Sequence, residues 1–296
     1  MLSLILALAL SPATTRQTQA DLEARVRANS SDAGAHFALC RTYYALENWD
    51  GAIEQCQSAV EISGGSQHHD WLGRAYGAKA EHSSWLQAVS LAKKTRTEFE
   101  KAVAADPKNA EARRDLAEFY IEAPGIVGGG KDKGLAQADV LDGISRSDAD
   151  YIRARAAELA KDNAQAEELY KKSVADAKDP ANYLNELAGF YRRTERFPEM
   201  EQAIGRIALT RNSATPYFDA ASTLVRTGRN LPGAIDMLKK FVASGGTDDA
   251  PLYQAYYQLG LAYQKLGDQR NAATQFRASA QLADYQPAQK ALEKIR

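Results

Sequence analysis

Small and bulky apolar residues near the end of the chain recur at helical spacing. One face of a first helix would consist of Tyr256, Leu259, Gly260 and Tyr263, and that of a second helix of Ala272, Phe276 and Ser279. The pattern breaks between them, at Gly267 and Asp268. Because small residues let two backbones approach while bulky side chains fill the gap, the pattern predicts a helical hairpin over 253–283.

The same pattern recurs along the chain. Leucines equivalent to Leu259 occur at Leu39, Leu72, Leu116 and Leu187, in steps of 33, 44, 71 and 72 residues. The last two steps are each about twice a period of ~34 residues. Alanine-rich segments fill the two skipped intervals, with Ala154, Ala157, Ala166 and Tyr170 in one, and Ala220, Ala221, Leu224, Ala234 and Leu238 in the other. The sequence therefore predicts seven hairpins.

The predicted hairpins cover 33–65, 66–107, 110–147, 148–179, 181–213, 214–247 and 253–284, and a capping helix covers 287–296. A lone hairpin leaves a second apolar face exposed, so stacked neighbours are required. Leu-Gly-x-x-Tyr, then Gly-Asp, then Ala-x-x-x-Phe resembles the tetratricopeptide repeat. The resemblance implies an all-α fold over 21–296, a right-handed superhelical solenoid of about seven hairpins with a C-terminal capping helix.

The second and third repeats differ from the common repeat pattern. The second repeat is about ten residues longer than the period, and Trp85 lies in the extra segment. In the third, the turn is replaced by APGIVGGGKDK, residues 123–133. Together with LGRAYG, SLAKK and EFEKAVAADP, this loop resembles a block found in exported bacterial tetratricopeptide proteins whose biochemical role is generally unassigned.

The first residues differ from the rest. Met1 to Leu10 form an apolar run too short to span a bilayer, followed by small residues that suit cleavage after Ala13 or Ala20. We interpret 1–20 as an export signal, which predicts a periplasmic or secreted protein without stable membrane insertion. The alternative is a buried N-terminal helix. Residues 21–29 are predicted to form a short leading helix.

Composition and charge limit the classes of function that fit the chain. The chain is 45% hydrophobic and 25% charged, as expected for a folded protein. Its formal net charge is -1, so the chain as a whole has no electrostatic case for binding nucleic acid or an anionic membrane. No catalytic set such as Ser-His-Asp stands out. We expect no enzyme activity and no cofactor.

The glycine-rich loop matches the spacing of a phosphate-binding loop, from Gly125 to Lys131. However, Asp132 stands where a Ser or Thr would bind magnesium, and a helix is predicted upstream instead of a strand. Two alternatives remain. The amides of Gly128, Gly129 and Gly130, with Lys131, hold a carboxylate at a helix start, or the loop is only an inserted turn.

The two cysteines, Cys40 and Cys56, fall in one hairpin with both side chains directed at the interface between its two helices. An oxidising compartment favours a disulfide, and the alternative is two buried thiols. His36 lies one turn before Cys40, and His68 and His69 open the next helix. Without a second pair at metal-ligand spacing, we predict no metal site.

The resemblance also implies a concave groove lined by first-helix residues at fixed offsets from the landmark leucine. These slots hold Phe37, Arg41, Tyr44, Arg74, Arg114, Tyr151, Arg155, Asn185, Arg192 and Tyr257. The recurring arginines form a predicted basic stripe, interleaved with aromatic residues, that resembles the carboxylate-clamp use of the fold. Alternatively, these arginines pair with Asp70 and Glu118 and do nothing else.

Two functions follow from the sequence. The leading hypothesis is an exported, non-catalytic scaffold that binds a partner protein or extended peptide, with acidic character, in the groove. The alternative is a small-ligand or anion-binding accessory protein that uses the glycine-rich loop 124–133 and serves a transporter or envelope enzyme.

Overall fold

The computed structural model describes residues 15–210 and 212–295. Sixteen α-helices and one short 3₁₀ turn (Gly125–Val127) make up this part of the chain, which contains no β-strand. Most of the predicted export signal lies outside the described residues. The leading helix α1 starts at Thr15 and not at Asp21, so it runs through the proposed cleavage point after Ala20.

The remaining helices form seven consecutive hairpins and a last single helix. Their bounds are α2 (Ala33–Ala45), α3 (Trp49–Ser63), α4 (Ser66–Glu81), α5 (Trp85–Ala105), α6 (Ala110–Glu122), α7 (Lys131–Leu141), α8 (Arg146–Leu159), α9 (Asn163–Asp176), α10 (Ala181–Arg193), α11 (Phe197–Gly205), α12 (Ala214–Thr227), α13 (Leu231–Ala243), α14 (Leu252–Lys265), α15 (Gln269–Leu282) and α16 (Gln286–Ile295). The fold is thus the all-α repeat solenoid that the spacing predicted. No helix in the described part is long and apolar enough to cross a membrane.

Three of the turns within the hairpins share the same backbone geometry and the same type of N-cap. Glu47, Lys161 and Gly267 adopt positive φ values of 60°, 63° and 81°, which reverse the chain after the first helix. The side chains of Asn48, Asp162 and Asp268 then accept a hydrogen bond from the backbone N–H three residues later. Such N-caps satisfy amides that the helix leaves unpaired, so each second helix starts at a defined residue.

Close approach within a hairpin depends on glycine. Gly260 on α14 faces the fully buried ring of Phe276 on α15, and a Cβ added at Gly260 would lie 2.4 Å from that ring. Gly73 on α4 faces Phe99 on α5 in the same way, at 2.6 Å. The Leu-Gly pair and the later Phe of the sequence pattern are therefore two halves of one contact.

The even-numbered helices from α2 to α14 contact one another from hairpin to hairpin, so they form the inner, concave wall. The two ends of the solenoid also meet. Leu46, after α2, packs in one apolar cluster with Tyr253, Ala283, Tyr285 and Ala288 from the last hairpin and α16. We call this contact the seam. It closes the array into a ring, and α16 covers α15 and contributes Ala288 to the same cluster.

Candidate functional site

The inner wall is the surface where the sequence placed a basic stripe, and Arg74 shows why that stripe does not form. Its Nε lies 2.6 Å from Asp115 and 3.0 Å from Asp70, and its terminal nitrogen lies 2.6 Å from Glu111. One cation therefore serves three carboxylates. Burial, reinforced by the Asp115 charge, raises the pKa of Asp70 well above its ordinary value.

Arg114 is held in the same manner. Its guanidinium contacts Glu118 at 2.8 Å, Glu186 at 2.6 Å and Asp148 at 3.5 Å, and its Cζ lies 3.9 Å from the centre of the Tyr151 ring. Burial raises the pKa of Glu118 to about 7; Arg114 opposes this rise, while Glu186 and Asp115 add to it. This part of the inner wall therefore contains more carboxylates than cations.

Arg155 and Arg41 are also paired. Arg155 bonds Glu158 at 2.6 Å and also bonds Glu122. Arg41 reaches across the seam to Asp249 at 2.6 Å, and its guanidinium lies 5.2 Å from the centre of the Trp71 ring. Arg41, Arg74 and Arg155 were predicted to form a basic stripe with Arg192. That prediction is wrong for these three, because carboxylates from the same helix, from neighbouring helices or from the α13–α14 connection pair with each of them.

Arg192 is different. Neither it nor its neighbour Arg226 forms an ion pair within the described residues, although both lie at the carboxyl ends of inner helices. Burial, then the nearby positive charge of Arg226, lowers the pKa of Arg192. Lys265, at the end of α14, donates a long hydrogen bond of 3.5 Å to the backbone oxygen of Arg226. Among the residues that the structure describes, none of these three cations forms an ion pair, although the charge of Glu158 acts on Arg192 and that of Arg226 acts on Asp219 from a greater distance.

The remaining groove residues are part of the packing between repeats. Phe37 packs edge-on against Trp71 at 6.2 Å between ring centres, and Tyr44 does so at 5.5 Å. The Asn185 amide donates to the backbone oxygen of Pro216 at 2.8 Å. Tyr257 lies 5.6 Å from Phe276. Of the ten predicted positions, these four lie on the inner wall but also stabilise the array.

The inner wall has an open cavity of about 520 Å³ between α12 and α14. Its lining combines apolar, amide, hydroxyl and cationic groups: Phe218, Ser222, Val225, Arg226, Gln254, Tyr257, Gln258, Leu261, Lys265 and Tyr285. The Ser222 Oγ is buried and has no hydrogen-bond partner among the described residues. We call this the α12–α14 cavity. It offers hydrogen-bonding groups of several kinds to a ligand.

Sequence reasoning missed most of this cavity. The sixth hairpin has Ala220 and Ala221 where the others have a leucine and a small residue, so no landmark located its groove positions. Gly228 follows α12 much as Gly267 follows α14. Counting back from Gly228 by the same number of residues would have placed Phe218 and Ser222 at groove positions.

A second cavity of about 480 Å³ lies at the inner side of the seam and contains Tyr44, Trp71 and Arg74. Its other walls include Glu47, Glu111, Asp248 and Asp249 together with Arg41, Trp49, Gln67 and Gln254. Most of these charges already pair with one another. The seam cavity is therefore better explained as part of ring closure than as a ligand site.

The glycine-rich loop does not offer the predicted amides. Gly128 donates to Gly125, Gly129 to Pro124 and Gly130 to Tyr120, each through its backbone N–H. The tight path requires glycine, since a Cβ at Gly129 would lie 1.8 Å from the Ala123 oxygen. Lys131 is the first residue of α7. The prediction of an anion held by the Gly128–Gly130 amides is thus wrong, because those amides build the turn itself.

Cys40 and Cys56 form a disulfide, with their Cα atoms 5.2 Å apart and both residues fully buried. The bridge ties α2 to α3 in the hairpin that carries half of the seam. The nearby histidines have other partners: His36 bonds Gln55 at 2.8 Å, and His69 bonds Glu98 at 2.7 Å. Within the described part, no group of three metal-ligating side chains converges.

Together, the repeated hairpins and the concave wall define the class as an all-α helical repeat solenoid of tetratricopeptide type. Yeast Tom70 is similar in structure, with a TM-score of 0.56 and 15% identity over 95% of this chain and 58% of that chain. The chain thus spans less than two thirds of the Tom70 structure. At this identity the similarity shows the fold alone.

Two further structures align over most of both chains. One is a tetratricopeptide repeat protein from Parabacteroides merdae, with a TM-score of 0.45 and 11% identity over 95% of this chain and 92% of that chain. The other is pilF of Pseudomonas aeruginosa, with a TM-score of 0.39 and 16% identity over 89% and 97%. No protein-family profile and no curated protein matches the chain.

Proposed function

We propose that the protein is a non-catalytic scaffold that binds an extended segment of a partner protein along the inner wall of its last three hairpins. The fold supports this role in general, because solenoids present long concave surfaces to partners. The location within the wall is supported by the α12–α14 cavity and by the unpaired cations beside it.

The observation that carries the proposal is the contrast between the two halves of the wall. Arg74, Arg114 and Arg155 are each held by two or three carboxylates, and a partner would have to displace those carboxylates to reach them. Arg192 and Arg226 form no ion pair in the part of the chain that the structure describes. A carboxylate of an incoming peptide would gain charge-assisted hydrogen bonds there without displacing a carboxylate of the described residues.

Neighbouring groups fit a peptide backbone. Gln258 and Ser222 line the same cavity and can bond main-chain amides, while Tyr257 and Leu261 supply apolar contact. We therefore keep the proposal of an acidic segment but move its anchor from Arg41, Arg74 and Arg155 to Arg192 and Arg226. The glycine-loop alternative is not carried forward, because its amides are already bonded.

We also propose that the chain is exported to the periplasm or secreted. The apolar run at 1–10 and the cysteine pair support this, since disulfides persist in oxidising compartments. The mass of the protein recovered from its native compartment tests it. A mature N-terminus beyond residue 10 in an extracytoplasmic fraction is expected, and an intact Met1 in the cytoplasmic fraction would contradict it.

A displayed library of random 12-residue peptides, panned on the immobilised full-length chain, tests the binding proposal. Enriched peptides should contain acidic residues and should bind an Arg192→Glu/Arg226→Glu variant at least tenfold more weakly, since two charge-assisted bonds become repulsions. The matched control is Arg229→Glu, because Arg229 pairs with Glu201. Equal binding to wild type and the double variant would exclude the inner-wall cations as the anchor.

A further inference from the structure

Two consecutive repeats depart from the common pattern at adjacent places. Phe99 packs on Gly73 as Phe276 packs on Gly260, but 26 residues separate the first pair and 16 the second. The second hairpin therefore contains ten additional residues between its two contact positions. In the third hairpin, the turn after α6 is replaced by the glycine-rich loop. The first departure is at the α4–α5 connection and the second at the α6–α7 connection.

Seven of the additional residues lengthen α5 at its amino end, and the other three lengthen α4 at its carboxyl end. α15 begins seven residues before Phe276, whereas α5 begins fourteen before Phe99. At ~1.5 Å per residue, α5 thus extends about 10 Å further than its counterpart. Trp85 and Leu86 start this extension, and they are 70% and 74% exposed, the two highest values among the large apolar residues with described burial. We call this segment the projecting tip.

The glycine-rich loop packs against the middle of α5. Arg96 on α5 donates to the Val127 backbone oxygen at 3.3 Å. Gly128 has a φ of +95°, and a Cβ there would lie 1.8 Å from the Arg96 guanidinium. This close contact fixes the loop beside α5, with Ile126 outward and 64% exposed. Both departures therefore lie along α5, with the loop contact at Arg96 about three turns from Trp85.

Positive charge predominates on α5 near the loop, although the net charge of the chain is -1. Residues 82–97 contain Lys93, Lys94 and Arg96 but no Asp or Glu, while Arg96 pairs with Glu100 at 3.5 Å and Asp132 follows Lys131 at the start of α7. Lys93 and Lys131 are exposed, and within the described residues neither forms an ion pair. A helix with cationic residues along its middle and a tryptophan and a leucine at its amino end matches the pattern of segments that bind at the headgroup region of a bilayer.

We propose that the projecting tip and the glycine-rich loop dock on an anionic membrane surface. Trp85, Leu86 and Ile126 would enter the interface while Lys93, Lys94 and Lys131 contact lipid phosphates. A bilayer fits better than a protein partner, because the apolar groups stand on a convex projection, whereas standard protein interfaces bury about 800 Å² per partner over a complementary patch. The proposal is independent of ligand binding on the inner wall.

The test is cosedimentation of the full-length chain with vesicles of phosphatidylcholine containing 30% phosphatidylglycerol, a proportion of about one anionic lipid in three. Trp85→Ser/Leu86→Ser should weaken binding about tenfold or more, and Lys93→Glu/Lys94→Glu about tenfold, with the latter effect shrinking at high salt. The matched controls are Leu159→Ser/Leu266→Ser, which are half-exposed leucines elsewhere, and Lys108→Glu/Lys178→Glu. These should bind like wild type.

Brominated lipids provide a direct readout. They should quench a component of the tryptophan fluorescence that is missing in Trp85→Phe, since Trp49 and Trp71 lie in the aromatic cluster of the first two hairpins. Wild-type protein that fails to sediment with anionic vesicles would overturn the proposal. So would binding that all tip variants retain, because the apolar run at 1–10 would then be the anchor.

Discussion

The phenol of Tyr285 donates a hydrogen bond of 2.8 Å to Glu47, although 238 residues separate the two positions. Beside it, Gln254 donates to the Ala45 backbone oxygen at 3.0 Å. The first and last hairpins are therefore in direct contact, and the inner wall is enclosed. Any extended partner must enter from an open face of the ring or through the seam.

The first prediction concerns this seam. Leu46→Asp should open the ring, because a charge would be placed in the apolar cluster formed by Tyr253, Tyr285 and Ala288. Each hairpin keeps its neighbours, so helical content should not change. Small-angle X-ray scattering should show a larger radius of gyration with an unchanged circular dichroism spectrum. Leu159→Asp, at a half-exposed site, is the control. An unchanged radius for Leu46→Asp would show that the seam does not hold the ring closed.

The second prediction concerns the close approach at Gly260. Gly260→Ala should lower the free energy of unfolding by about 1–2 kcal/mol, because the new methyl group would collide with the buried Phe276 ring and outweigh the helix propensity of alanine. Gly205→Ala is the control, since a Cβ there meets nothing within 4 Å. Urea denaturation of both variants measures the difference. Equal stabilities would mean that the hairpin tolerates a wider separation than its packing indicates.

Much of the fold could be predicted because the repeat is encoded locally. Gly260 and Phe276 lie in one hairpin, so the helical spacing of small and bulky residues was enough to predict that their two helices pack closely. Closure of the ring could not be predicted in this way. It depends on the small rotation between successive hairpins summed over the array, and no short-range pattern links Glu47 to Tyr285.

The candidate site was only partly predictable for a related reason. Groove slots follow from position in the repeat, and Arg74 and Arg114 do lie on the inner wall. Whether an arginine is free depends on its neighbours in adjacent hairpins, such as Glu186, which is 72 residues from Arg114. The spacing of arginines therefore identified the wall but not its charge.

The third prediction concerns the disulfide. A thiol assay on denatured protein without reductant should find no free thiol, and Cys40→Ala/Cys56→Ala should lose about 3 kcal/mol of stability, because the unfolded chain regains the entropy of a loop of 16 residues. Wild-type protein measured in reductant is the matched comparison and should approach the variant. Two free thiols in the unreduced wild type would contradict the bridge.

The fourth prediction concerns pH. Burial raises the pKa of Glu118 from 4.5 to about 7. Between those two values the folded chain keeps a proton that the unfolded chain has released, so stability should fall as pH rises through this window. Glu118→Gln, which preserves an acceptor for Arg114, should remove part of that fall, on the order of 1–3 kcal/mol.

Urea denaturation at pH 5 and pH 7.5 measures this loss for wild type, Glu118→Gln and, as the control, Glu54→Gln at an exposed position on α3. Only Glu118→Gln should flatten the dependence, because its amide cannot ionise beside Glu186 and Asp115. If wild type and Glu118→Gln lose the same stability between the two pH values, Glu118 is ionised throughout. The inner wall beside Arg114 would then carry its full negative charge at neutral pH and would repel an acidic partner more strongly than the wall beside Arg192.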